Sequence, residues 1–232
     1  MSEILSIATI ALAGLVHATL QLGLSCLLLL YHESMGKHVR KRTRRLVSSF
    51  ISGSGILVFL LLAATCFIIS NIFNGALTAE ILAIAIGILA ALAIVMWFFY
   101  YKTSKSTELW LPKVVARFVD SRAKTTNSNT EAFSLGILTC FAELPFIIIL
   151  ILIAGNSILE LPTTHQTLMV AVYTIISIIP FIVLRFAIRS GKTVVDIQKW
   201  RLRNKTFLRI ISGVGFLVLG LFLFAFKILG AA

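Results

Sequence analysis

Six stretches of more than 20 residues, each dominated by apolar side chains, constrain this chain more than any other feature. They lie near 4–31, 46–70, 80–101, 132–155, 167–188 and 207–229. A helix needs about 20 such residues to cross the hydrocarbon core of a bilayer, so each stretch is long enough to span. The short alternating segments that a membrane β-barrel requires are missing. Only 13% of the 232 residues are Asp, Glu, Lys or Arg, and the mean hydropathy is +1.00. Those values exclude an ordinary soluble domain, a disordered chain and a fibre. The expected fold is an all-α integral membrane protein with six transmembrane helices. The first stretch opens Met1-Ser2-Glu3 without a basic n-region and is too long for a signal-peptide core, so it is expected to remain as a span.

The net charge of +12 would point to nucleic acid in a soluble protein. Here its placement describes topology instead, and no nucleic-acid partner is expected. Lys37, Arg40, Lys41, Arg42, Arg44 and Arg45 follow the first stretch. Lys102, Lys105, Lys113, Arg117, Arg122 and Lys124 follow the third. Arg185, Arg189, Lys192, Lys199, Arg201, Arg203, Lys205 and Arg209 surround the connection between the fifth and sixth. Together these are 20 of the 21 basic residues, the other being Lys227, and the segments 71–79 and 156–166 carry none. By the positive-inside rule the basic loops are cytoplasmic and both termini lie outside. The expected location is a plasma (inner) membrane, with multiple passes. His32 and His38 fall in the first basic loop, where solvation accounts for them, and His165 falls in an outside loop.

The spans form two groups of three. Because three is odd, the second group enters the membrane from the opposite side, so a duplicated three-helix unit would be an inverted-topology repeat. The expected division is a first repeat over 1–101, a cytoplasmic linker over 102–131 and a second repeat over 132–232. Within the linker, Trp110, Leu111, Val114, Val115, Phe118 and Val119 recur at helical spacing between Lys113, Arg117 and Arg122. That pattern suits a short interfacial helix resting on anionic headgroups. A shift of 122 positions aligns 13–22 with 135–144. Gly14 then meets Gly136, His17 meets Thr139, Gln21 meets Glu143 and Gly23 meets Pro145. A fainter echo relates 85–89 to 213–217.

The polar residues on this repeat are the candidate site. His17 and Gln21 lie four apart on one helix face, and Thr139 and Glu143 lie four apart on the matching face. Each pair is followed by a helix-weakening residue, Gly23 or Pro145; a proline removes a backbone donor and crowds the carbonyl four residues back. Glu143 is the only carboxylate in the deep part of any span. Burying its charge there costs a few kcal/mol, about 3 on insertion scales, unless a proton, a partner or a bound cation offsets it. Small residues at Ser52, Gly53, Ser54 and Gly55, and at Gly213, Gly215 and Gly220, permit close helix contact. Pro180 is placed to kink the fifth span. The three cysteines, Cys26, Cys66 and Cys140, lie in spans, form no CxxC pair and read as small buried hydrophobes.

With its 3+3 layout, its glycine-rich segments in spans 3 and 6, and Gly14-to-Gly23 set against Gly136-to-Pro145, the chain resembles the lysine-exporter superfamily. That group includes the cytochrome-c-biogenesis thiol carriers. The resemblance implies six spans in two inverted repeats, with function centred on spans 1 and 4. Its branches export amino acids, move metal ions, or carry electrons between thiols. The chain departs from each branch. No cysteine follows a proline, span 1 has no proline, and Gln21 stands where a second acidic residue would be.

Three functions are compatible with these features. The first is a small secondary transporter or exporter of a cationic solute or metal ion, in which Glu143 binds either the cationic substrate or a coupling proton. Its site would lie at mid-membrane between spans 1 and 4, formed by Glu143, Gln21, His17 and Thr139, with Gly23 and Pro145 as hinges. His17, Glu143 and Cys140 offer a mixed ligand set for a divalent metal, though their spacing does not define one. The second is a transmembrane thiol carrier using Cys26 and Cys140. The third is a scaffold or assembly protein with no flux. Phosphate loops, HExxH and GxSxG motifs are absent from the sequence, so no enzyme activity outside the thiol reading and no cofactor is expected. The partners implied are the lipid bilayer and a small cationic solute, metal ion or proton; homo-oligomerisation is compatible with all three readings.

Overall fold

The computed structural model describes residues 3–20, 39–98, 121–122, 125–190 and 194–231. Among the described residues the secondary structure is helical, in the order α1 (Glu3–Thr19), α2 (Val39–Ile72), α3 (Ala79–Phe98), α4 (Asn129–Leu159), α5 (Thr163–Arg189), α6 (Val194–Arg203) and α7 (Lys205–Leu223). A π-helical segment, Phe224–Ile228, and a short 3-10 turn, Leu229–Ala231, continue α7. Five of the helices, α2, α3, α4, α5 and α7 with its π extension, are long and apolar enough to cross a membrane. Large apolar side chains such as Ile4, Leu60, Phe67, Ile84, Ile148, Val183 and Leu221 point outward from the bundle. Water would disfavour that surface and lipid accepts it, consistent with a multi-pass protein embedded in a membrane.

The first expected span differs. Helix α1 ends at Thr19, where a helix over 4–31 was expected. Its last turn is closed locally: the Leu20 amide donates to the His17 carbonyl (3.0 Å) and the Thr19 hydroxyl donates to the Val16 carbonyl (2.7 Å). At 17 residues α1 is about 25 Å long, short of the roughly 30 Å of a hydrocarbon core. Gln21, Gly23 and Cys26 lie outside the described residues, as does the expected interfacial helix around Trp110. The second connection is shorter than its segment free of Lys and Arg suggested. Helix α4 continues to Leu159 and α5 starts at Thr163, so His165 sits in the first turn of α5 instead of a loop. Helix α6 was not anticipated. It is one short amphipathic turn sequence, with Asp196 in its first turn and Arg201 and Arg203 in its last, a distribution that complements the helix dipole.

Helix α4 is the centre of the bundle. It begins with a capping box: the Glu131 amide donates to the Ser128 hydroxyl, and the Glu131 carboxylate accepts from the Ser128 amide. Over its most apolar stretch 56% of residues are buried, against 22–39% in the other spanning helices. It packs most extensively on α2 and also on α1, α3 and α5; α1 packs in addition on α5 and α7, α2 on α5, and α3 on α7. The α2–α4 crossing depends on two glycines. A methyl group on Gly53 would run into the Phe133 carbonyl oxygen, and one on Gly136 would run into the Phe50 carbonyl. The Ser54 hydroxyl donates across this crossing to the Gly136 carbonyl at 3.0 Å. Gly87, by contrast, has open space around the position of a Cβ.

These contacts predict a sharp contrast. Gly53→Ala and Gly136→Ala must separate two backbones in a packed core and are expected to lose about 1–3 kcal/mol or more. Gly87→Ala should leave stability unchanged or slightly raised, by helix propensity. Thermal unfolding of the three variants in one detergent checks the ordering.

Candidate functional site

The α2–α4 crossing places a set of polar residues inside an apolar bundle. One turn beyond Gly136 on α4 is Thr139, and one turn beyond that is Glu143. Both are buried, with 1% and 5% exposure. Together with His17 and Leu20 from the end of α1, Ser54 and Val58 from α2, Cys140 from α4, and Ser177, Ile178 and Phe181 from α5, they line a small cavity. Its free volume is about 10 Å³ for the centre of a water-sized body, enough for one such body.

The lining is held in place by bonds within the protein. His17 Nδ1 lies 3.1 Å from the Tyr173 hydroxyl of α5, with the rings tilted at 51°. The direction of that hydrogen bond follows the imidazole tautomer. The Thr139 hydroxyl donates to the Gly136 carbonyl (2.9 Å), the same oxygen that accepts from Ser54. The Ser177 hydroxyl donates to the Thr174 carbonyl (2.8 Å), and Thr174 in turn donates to the Val170 carbonyl (2.9 Å). Hydroxyls bonded back onto their own helices are at home in lipid, because no polar group is left facing hydrocarbon.

The structure therefore brings together His17, Thr139, Cys140 and Glu143 from the residues singled out in the sequence. Pro145 lies two residues beyond Glu143, inside an unbroken α4. It lacks the N–H that would bond to the Phe141 carbonyl, so the helix is weakened beside the site without being broken there. Three further polar contributors, Ser54, Ser177 and Tyr173, were not singled out as site residues. Ser54 was legible only as a small packing residue, and Ser177 and Tyr173 sit on a span read for its proline alone.

His17, Cys140 and Glu143 line one cavity without forming a close ligand set. Among the described residues no three His, Cys, Asp or Glu side chains gather where they could hold a metal ion. The thiol option rests on Cys140, which is buried in the cavity wall, and on Cys26, outside the described residues. Cys66 is no substitute partner. Its thiol points at the Gly155 carbonyl (3.8 Å), 15 positions along α4 from Cys140. At 1.5 Å per residue that is roughly 22 Å, far beyond disulfide reach.

A second polar centre lies at the other end of α4. Glu160 forms an ion pair with Lys227 of the π segment and accepts from Ser6 of α1 (2.8 Å) and from the Asn156 amide (3.2 Å). The Asn156 side-chain oxygen accepts from the Leu77 amide (2.7 Å), which pins the α2–α3 connection to α4. This cluster ties four parts of the chain together about four helical turns from Glu143. The lone charges at the ends of two apolar spans were its sequence signal.

Comparison with protein-family models, with curated proteins and with solved structures finds no match for this chain.

The His17–Tyr173 bond generates a prediction. Tyr173→Phe keeps the ring and leaves a buried imidazole nitrogen without its partner, a loss of about 1–3 kcal/mol. The double variant His17→Leu/Tyr173→Phe should recover part of that loss. A cycle of unfolding measurements on the two single variants and the double variant gives the coupling; additive effects would mean that the bond is not formed.

Proposed function

We propose that this protein is a small secondary transporter or exporter of a cationic solute, built from two inverted-topology three-helix repeats in a plasma (inner) membrane. The observation that carries the reading is Glu143: a carboxylate buried in a polar cavity at the centre of a lipid-facing bundle. Placing an acidic side chain there is costly, and intramembrane carboxylates mark ion, proton and substrate paths. The helices that line the cavity are α1 and α4, which are the first members of the two proposed repeats, and α2 and α5, which are the second.

The packing supports the repeat. Exchanging the two halves pairs α1 with α4, α2 with α5 and α3 with α7. That exchange carries the α1–α5 contact onto α4–α2 and the α1–α7 contact onto α4–α3. It returns α1–α4, α2–α5 and α3–α7 to themselves, and all of these pairs pack. The α4–α5 contact lacks a counterpart of similar extent among the described residues. The register agrees in detail. The offset of 122 that aligns Gly14 with Gly136 also relates Ser54 to Ile176. A Cβ on Gly14 would sit 3.1 Å from an Ile176 side-chain carbon, and one on Gly136 would sit 3.0 Å from the Ser54 amide, so the two glycines face equivalent positions on their partner helices.

The mechanism follows from this arrangement. Glu143 neutralises the positive charge of the solute or takes up a coupling proton. His17, with Tyr173 behind it, and Thr139 surround the same space. Helix α1 ends two residues after His17, and α4 is weakened by Pro145 two residues after Glu143. Both first helices therefore have a weak point beside the site, where repeats that rock between inward- and outward-facing states must bend. The connections without Lys or Arg and both termini face outward, and the basic loops face the cytoplasm.

The test is flux in proteoliposomes under an imposed gradient of pH or of a cation. Glu143→Gln, folded as judged by its elution profile, is expected to lose at least about tenfold in rate, the effect of about 1.4 kcal/mol or more on the limiting step. Undiminished flux in Glu143→Gln would contradict the assignment, as would the absence of flux for every cation in the wild type.

A further inference from the structure

The basic end of the bundle carries two buried hydrogen-bond donors without an acceptor among the described residues: Arg209 Nε and Trp97 Nε1. Arg209 stands in the second turn of α7, and Trp97 is one residue from the end of α3. These two helices pack along each other. The donors also share one side of α7. The Trp97 ring rests on Gly213, where a Cβ would run into its nitrogen. Gly213 is four residues beyond Arg209, so the two positions lie on one helix face, one turn apart.

A guanidinium and an indole nitrogen only donate, and the guanidinium keeps its positive charge. A group that satisfies both must accept hydrogen bonds and carry negative charge. Leaving such donors unmet beside hydrocarbon is costly. The surroundings define the rest of the ligand. Phe98 and Ile210, the chain neighbours of Trp97 and Arg209, are 65% and 48% exposed on the outside of the bundle. Helix α6, which packs on α7, exposes Lys199 and Arg203 beside an exposed Trp200. An acidic head therefore meets the donors and the basic surface, while an apolar body covers the rim. Basic pockets between spanning helices hold anionic lipid headgroups, and tryptophans gather at the same depth. A free phosphate ion would satisfy the donors and leave the apolar rim bare.

We infer that the junction between the end of α3 and the start of α7 is a binding site for an anionic phospholipid. The lipid phosphate accepts from Arg209 Nε and Trp97 Nε1. The acyl chains lie along Phe98 and Ile210, and Lys199 and Arg203 attract the headgroup from α6. This site is separate from the cavity at Glu143, and its occupation does not depend on whether that cavity carries a solute.

The experiment is thermal unfolding of the purified full chain in an uncharged detergent at constant ionic strength. Phosphatidylglycerol, phosphatidylcholine or inorganic phosphate is added in steps. A ligand that binds the native state raises the midpoint with its concentration. Wild type is compared with Arg209→Gln and with Trp97→Phe, which keeps a ring and removes only the N–H. The expected result is stabilisation by phosphatidylglycerol that needs about tenfold more lipid in either variant, with phosphatidylcholine and inorganic phosphate much weaker. Equal stabilisation of all three proteins is diffuse charge attraction and overturns the inference, as does no response of the wild type to phosphatidylglycerol. Inorganic phosphate that matches the lipid overturns the choice of a lipid. Phosphatidylcholine that matches phosphatidylglycerol overturns the choice of an anionic one. If Arg209→Gln does not fold, Trp97→Phe decides alone: an unchanged lipid requirement there contradicts the site.

Discussion

Two glycines set the geometry on which everything else in this bundle depends. Where α2 crosses α4, Gly53 lies against the Phe133 carbonyl and Gly136 against the Phe50 carbonyl, closer than any side chain would permit. Helices in lipid have no hydrophobic force between them, so their association relies on close packing and on hydrogen bonds across the contact. The crossing supplies both. The approach lets Ser54 reach the Gly136 carbonyl, and that same carbonyl holds the Thr139 hydroxyl. One turn further along α4, Glu143 is thereby fixed against α1 and α5. Separating the two backbones would open the cavity and release its lining at once.

The second constraint is the cost of polar atoms in hydrocarbon. The chain meets it in two ways. Hydroxyls bond back onto main-chain carbonyls, as at Thr65, Thr174 and Ser212. The carboxylates inside the bundle sit at two centres among the described residues, one around Glu143 and one where Glu160, Lys227, Ser6 and Asn156 meet at the far end of α4. The far cluster is a fastener: it holds α1, α4, the α2–α3 connection and the C-terminal π segment together. This end of the bundle is tied, and α1 ends beside the cavity at the other.

Much of this was legible in the sequence because membranes leave few choices. Apolar run length identified the five long helices to within about four residues of their ends, apart from α2, whose helix starts seven residues earlier in the basic segment at Val39, since backbone groups in lipid have no alternative to helical bonding. Glu143 stood out because a carboxylate is rare at that depth, and Thr139 and His17 stood out through their alignment. What the sequence did not disclose has equally plain causes. The end of α1 at Thr19 depends on local bonds by Thr19 and Leu20, and no proline or glycine falls at those positions. Ser54 and Ser177 look like ordinary small residues until the packing points them at one cavity. Tyr173 was hidden because its role is set by His17, 156 positions away. Helix α6 is too short and too charged for a periodicity argument to stand out.

Cys140 gives the most direct access to the central claim, a polar site at mid-membrane that opens alternately to the two sides. It is buried in the cavity wall beside Glu143. The measurement is labelling of Cys140 by a membrane-impermeant thiol reagent, applied to one side or the other of sealed vesicles, with Cys26 and Cys66 replaced by Ala. The account predicts labelling from one side in the resting protein and from the opposite side under an imposed cation gradient, with both lost in Glu143→Gln. A Cys140 that stays unlabelled from both sides under every gradient, in protein shown to be folded, would contradict it.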